Sequence, residues 1–218
     1  MVGTDIPGRL TEAGIVPVIA IERVEWALPL ADALLAGGLR VIEITFRTSA
    51  AAEVIRTLSA ERPQLTVGAG TVLTLENLDT AKANGAKFGV APGLNPTIAR
   101  RAQQLQFPFF PGVATPTEID AALELGCRLL KFFPSEALGG CGMLAALFAP
   151  YQHTGVRFMP TGGVNPGNLE NYLKCDAVAA VGGTWIAKRE DFVTGNWSEI
   201  TQRCRAAVTV VKKLRNRE

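Results

Sequence analysis

Short, unbroken apolar runs alternate along the chain with stretches of helical spacing. The runs fall at residues 15–21, 39–46, 65–69, 87–91, 109–113, 129–133, 156–160 and 177–181. They are rich in β-branched and aromatic residues and too short for amphipathic helices, so they predict strands. None alternates polar with apolar, and a strand apolar on both faces belongs to a parallel sheet wrapped in helices. Between the first two runs, Ala27, Leu28, Ala31, Leu34 and Leu35 form one stripe over 24–36, stopped by Gly37-Gly38. Thr115-Pro116-Thr117-Glu118 supplies a capping box with proline at the first helical position, predicting a helix over 118–125. Asn95-Pro96 and Asn165-Pro166 repeat the cap-and-proline device, and Asn84-Gly85 and Leu125-Gly126 end helices just before the next strand.

Eight strand–helix cycles with short connections and no linker predict one α/β domain over residues 1–218. The expected architecture is a (β/α)8 TIM barrel with a short N-terminal helix inside residues 1–14, at the compact end for that fold. An open doubly wound sheet would place a glycine fingerprint after the first strand. Here that strand runs into Ile21-Glu22-Arg23 instead.

Composition narrows the function classes. Hydrophobic residues at 48% and charged ones at 19% supply a core and exclude disorder. With 22 basic and 20 acidic residues the net charge is +2, so no nucleic-acid or anionic-membrane partner is expected. The basic run Lys212-Lys213-Leu214-Arg215-Asn216-Arg217 reads as the solvated end of a last helix, where cations favour the dipole. No apolar segment is long enough to span a membrane. Asp5, Arg9 and Glu12 precede the first apolar run, which predicts no export signal, a cytoplasmic location and reduced thiols. Cys127, Cys141, Cys175 and Cys204 lack zinc-ligand spacing, and the one histidine, His153, sits in a predicted surface turn, so no metal is expected. The segment 151–155 around it looks inserted.

In a barrel, chemistry gathers at the C-terminal ends of the strands. Lys131 stands in the apolar run Leu129-Leu130-Lys131-Phe132-Phe133-Pro134. Apolar surroundings disfavour a charged amine and favour a nucleophilic neutral one, whereas a bland reading packs the stem and pairs or snorkels the head. Glu43 is the only charge in Val41-Ile42-Glu43-Ile44-Thr45-Phe46. A buried carboxylate of this kind is either a proton shuttle or half of a structural Glu–Lys pair. Arg47, at the end of that strand, can grip a carboxylate or simply be an exposed arginine at a helix start. Thr161-Gly162-Gly163 and Gly182-Gly183-Thr184 close the seventh and eighth predicted strands. Each Gly-Gly pair alone is a turn; at adjacent strand ends they fit a phosphate held by backbone N–H groups.

These stretches, with Val67-Gly68-Ala69-Gly70-Thr71-Val72, Pro92-Gly93-Leu94, Leu130-Lys131-Phe132-Phe133-Pro134-Ser135-Glu136 and Gly182-Gly183-Thr184-Trp185, are collinear over nearly the whole chain. Together they resemble the bacterial 2-keto-3-deoxy-6-phosphogluconate aldolases, which often also act on 4-hydroxy-2-oxoglutarate. The resemblance implies a metal-independent class I aldolase that forms a Schiff base on Lys131, with Glu43 as general acid/base through an ordered water. It implies Arg47, Thr71, Pro92, Phe133 and Thr161 around pyruvate, and Gly162, Gly163, Gly183 and Thr184 around phosphate. It also implies a homotrimer with no cofactor, whose small-molecule partners are pyruvate and a phosphorylated keto acid. Some relatives have an arginine where this chain has Ala20, and many have serine at Thr184. A hydroxyl at Thr161 favours the gluconate over the galactonate isomer. The alternatives are a galactonate-type aldolase, another phosphate-binding barrel such as a sugar-phosphate isomerase or synthase, or a silent binding subunit.

Overall fold

The computed structural model describes residues 5–215. A leading helix α1 (Ile6–Ala13) is capped by the Asp5 side chain, which accepts from the Gly8 N–H, and ends at Gly14 with φ of 69°. The part of the predicted leading helix within residues 1–4, and Asn216 and Arg217 of the basic run, lie outside the described residues.

The strands are β1 (Ile15–Ile19), β2 (Val41–Thr45), β3 (Thr66–Gly70), β4 (Phe88–Val90), β5 (Phe109–Phe110), β6 (Gly112–Val113), β7 (Leu129–Phe132), β8 (Arg157–Pro160) and β9 (Val181–Gly183). Helices α2 (Ala27–Ala36), α3 (Ala51–Glu61), α4 (Leu75–Ala83), α5 (Pro96–Gln104), α6 (Pro116–Glu124), α7 (Gly140–Phe148), α8 (Leu169–Leu173), α9 (Arg189–Thr194) and α10 (Trp197–Arg215) separate or follow them. All ladders are parallel, in sheets of order β5-β4-β3-β2-β1-β9 and β6-β7-β8. Single parallel bridges, Phe158 to Val178 and Thr161 to Gly182, join the β8 segment to the β9 segment. The fold is thus α/β with a curled parallel sheet.

Three local expectations are corrected. The run at 109–113 divides into β5 and β6 because Pro111 has no N–H to give a ladder, although its carbonyl still accepts from the Lys131 N–H at 2.8 Å. The run at 177–181 is buried, yet only Val181 of it lies in β9; the pairing with Ile15, Val16 and Pro17 falls on Val181, Gly182 and Gly183. Apolarity there records burial, not hydrogen bonding. Asn165-Pro166 does not open a helix: Asn165 Oδ1 accepts from the Gly167 N–H in a turn, and α8 starts at Leu169. The capping box of Thr115 and Glu118 and the Asn95 cap form as expected.

Side chains along each strand alternate between two cores, as a period of two requires. Ile42, Ile44, Leu130 and Phe132 pack outward against the helices. Burying each removes about 1.5–3 kcal/mol worth of apolar surface from water. Val16, Val41, Phe88, Phe110, Leu129 and Met159 form an inner cluster with Ile6 and Leu10 of α1. One pleat further along β2 and β7, the same inward face presents Glu43 and Lys131.

Candidate active site

The alternation that buries Val41 and Leu129 leaves Glu43 and Lys131 no exit, and both are buried, at 0% and 5% exposure. Arriving from different sheets, they meet inside: Lys131 Nζ donates to Glu43 Oε1 at 3.4 Å. The distance is long for a charge-assisted hydrogen bond, so the pair is held together loosely. The other oxygen, Glu43 Oε2, is buried and has no hydrogen-bond partner among the described residues. With no protein donor, that oxygen is open to water or to a bound ligand. The Phe133 ring lies 5.5 Å from Lys131 Nζ, within cation–π range.

Other predicted residues gather around the pair. Thr161 is buried, with its N–H donating to the Phe132 carbonyl at 2.9 Å and its hydroxyl to the Met159 carbonyl at 3.3 Å. The Pro92 carbonyl packs against Gly112, the register partner of Lys131. Thr71 follows β3 half-buried at φ of 54°, a left-handed conformation that costs a β-branched residue free energy. Arg47 stands apart. Its side chain is exposed and makes no hydrogen bond or ion pair among the described residues, while Thr48 beside it is anchored to the Ile21 carbonyl at 2.6 Å.

Gly162 and Gly163 form the turn after β8, at φ of 93° and 83°. Two amides, from Asn165 at 3.0 Å and Asn168 at 3.2 Å, hold the Gly163 carbonyl. The N–H groups of Gly163 and Thr184 donate to no backbone acceptor among the described residues. Gly183 ends β9 buried, and Thr184 is exposed beyond it.

Three further glycines shape the interior by close approach. A Cβ on Gly70 would collide with the Glu43 carboxylate, one on Gly112 with the Pro92 carbonyl, and one on Gly182 with the Thr161 hydroxyl. The available signal was a glycine inside an apolar strand, which marks close approach. Among the described residues no three His, Cys, Asp or Glu side chains cluster as metal ligands would.

Known proteins share this fold and much of this sequence. The chain matches the family model described as KDPG and KHG aldolase over residues 6–203. It is 46% identical over 204 residues to the 2-dehydro-3-deoxy-phosphogluconate aldolase of Haemophilus influenzae, covering 94% of this chain and 95% of that relative. The KDPG aldolase of Legionella pneumophila, solved with pyruvate captured as a covalent carbinolamine, superimposes with a TM-score of 0.88 at 41% identity, over 92% of this chain and 97% of that one. The 2-keto-3-deoxy-6-phosphogluconate aldolase of Zymomonas mobilis, solved with 3-phosphoglycerate, gives a TM-score of 0.87 at 36% identity, over 94% and 96%. From the leading helix into α10, this chain belongs to the KDPG and KHG aldolase family.

Proposed function

We propose that the chain is a class I aldolase, a carbon–carbon lyase, that reversibly cleaves 2-dehydro-3-deoxy-6-phosphogluconate to pyruvate and glyceraldehyde 3-phosphate. The observation that carries this reading is the buried, loosely held Lys131–Glu43 pair with its unsatisfied Glu43 oxygen. The carbinolamine in the Legionella relative supports imine chemistry, and the 3-phosphoglycerate in the Zymomonas relative supports a phosphorylated ligand.

In this scheme Lys131 passes a proton to Glu43 and its neutral amine adds to the C2 ketone; Glu43 returns the proton to the carbinolamine hydroxyl, which leaves as water to give an iminium. Glu43 takes the C4 hydroxyl proton, C4 becomes the aldehyde, and the C3–C4 electrons pass to the iminium nitrogen. The enamine regains a proton at C3 from Glu43, and water then releases pyruvate and the free lysine. The iminium is the electron sink, so the scheme uses no metal or organic cofactor. Thr71, Pro92, Phe133 and Thr161 line the pyruvate end, and Arg47 closes on the carboxylate when substrate binds. The Gly162-Gly163 turn, Gly183 and Thr184 form the phosphate end, with the Gly163 and Thr184 N–H groups as donors. Fixing the far end of the substrate converts binding into alignment at C3–C4.

4-Hydroxy-2-oxoglutarate is a second substrate in this reading, supported by the Escherichia coli relative named KHG/KDPG aldolase, 39% identical over 209 residues. The sheet is read as one closed (β/α)8 barrel over a single domain. Support comes from the bridges between the β8 and β9 segments and from the one residue, Pro111, between β5 and β6. The family's homotrimer and a cytoplasmic location complete the proposal.

Borohydride trapping with pyruvate, followed by peptide mapping, tests it. A reduced pyruvate adduct on Lys131 is expected; a folded protein with no adduct on any lysine would overturn the aldolase reading.

A further inference from the structure

Beyond Lys131, the chain Phe133-Pro134-Ser135-Glu136 turns back across the end of β8. The Ser135 N–H donates to the Thr161 carbonyl at 2.8 Å, and the Glu136 N–H to the Gly162 carbonyl at 3.0 Å. The lysine loop and the Gly162-Gly163 turn are therefore one hydrogen-bonded unit. Glu136 lies directly over that turn, where a Cβ on Gly163 would collide with its Cβ and Cγ. A carboxylate this near a phosphate site is an electrostatic conflict, because like charges at short range oppose binding.

The structure contains a counter to it. The Tyr172 hydroxyl, from α8, hydrogen-bonds Glu136 Oε1. A carboxylate only accepts, so Tyr172 donates to it. Tyr172 and Ser135 oxygens are 2.7 Å apart, and with the tyrosine proton committed, the buried Ser135 hydroxyl donates to Tyr172. The directed chain Ser135 → Tyr172 → Glu136 draws the carboxylate towards Gly140 at the start of α7, where a Cβ would lie 2.8 Å from Glu136 Oε1. A helix N-terminus favours negative charge.

We propose that Tyr172 is a positioning residue for phosphate recognition: its hydroxyl tethers the Glu136 carboxylate away from the Gly162-Gly163 turn. This rests on the phosphate reading of that turn. Tyr172→Phe keeps the buried ring and removes the tether. The measured quantity is the ratio of kcat/KM for 2-dehydro-3-deoxy-6-phosphogluconate to that for the same keto acid without phosphate. It should fall about tenfold in Tyr172→Phe, the scale of one lost hydrogen bond to a charged group. Pyruvate C3 proton exchange, which involves no phosphate, should be unchanged. Adding Glu136→Gln should restore most of the ratio, because the displaced charge is gone.

An unchanged ratio, an equal fall on both substrates, or no restoration by Glu136→Gln would overturn the tether. If Tyr172→Phe does not fold, Glu136→Gln alone decides: a ratio at or above wild type supports the tether, and a lower one refutes it. A wild-type ratio near one, with inorganic phosphate failing to compete, would remove the phosphate reading itself and this inference with it.

Discussion

Lys131 Nζ and Glu43 Oε1, 88 residues apart in sequence, stand 3.4 Å apart in a space from which water-exposed escape is closed to both. Each is the other's only ionic partner there among the described residues. Removing one member of such a buried pair strands the other charge, at a cost of about 3–5 kcal/mol. Lys131→Met should therefore abolish turnover and lower the melting temperature. The double variant Lys131→Met/Glu43→Gln should recover much of that stability with no activity. Equal melting temperatures for the single and double variants would show that the pair is not coupled.

Glu43→Gln separates proton transfer from imine formation. Pyruvate C3 exchange should slow about 100- to 10,000-fold, the usual contribution of a positioned acid or base, while borohydride still traps the Lys131 adduct. Wild-type exchange in this variant would take Glu43 out of the mechanism.

Gly70 tests the same carboxylate from the other side. Gly70→Ala puts a methyl where the Glu43 carboxylate now packs. Overpacking of this kind costs about 1–3 kcal/mol, and the displaced carboxylate should slow exchange as Glu43→Gln does. A variant with lower stability but unaltered exchange would show that Glu43 reaches its target from a second position.

Thr71 holds left-handed backbone at the mouth of the site. Thr71→Gly relieves strain of about 1–3 kcal/mol and loses part of that gain to the extra freedom of an unfolded glycine. A small rise in melting temperature is expected, with a higher KM for pyruvate exchange because a lining side chain is gone. A fall in melting temperature would mean that the threonine side chain stabilises the turn more than its backbone strains it.

Acid sensitivity should centre on Asp191. Burial pushes its carboxyl up, but the Arg203 guanidinium and the Lys188 N–H more than offset that and hold it below the usual range. A carboxyl depressed in the folded state contributes stability in full above its unfolded value of about 3.9 and loses it as pH falls through the folded value. Melting temperatures between pH 5 and pH 2 should therefore fall less steeply in Asp191→Asn than in wild type. Parallel curves would exclude Asp191 as the titrating group.

Much of this was legible in the residues. One charge in each of two apolar strands identified Glu43 and Lys131, because burying an ionisable group needs a reason that local sequence can display. Capping chemistry at Thr115 and Asn95 was equally readable, since it depends on neighbours a few residues away. Positions that depend on distant chain were not. Where β9 pairs is decided by register against β1, and Ala177–Ala180 look strand-like only because the core surrounds them. The Ser135–Tyr172–Glu136 chain spans 37 residues and contains no local pattern to reveal it. Arg47 was singled out by its place at a strand end, and the structure leaves its side chain exposed and away from the pair.

The packing of Ile6 and Leu10 from α1 into the inner cluster stoppers the far end of the sheet. In the closed barrel proposed above, a molecule reaching Lys131 then comes and goes on the side of the glycine turns. Covalent attachment fixes a sequence of departures: the aldehyde leaves first, while pyruvate waits, still joined to the lysine. In the reverse direction pyruvate must enter before its partner, so a closed far end and a covalent first ligand would impose the same order on synthesis.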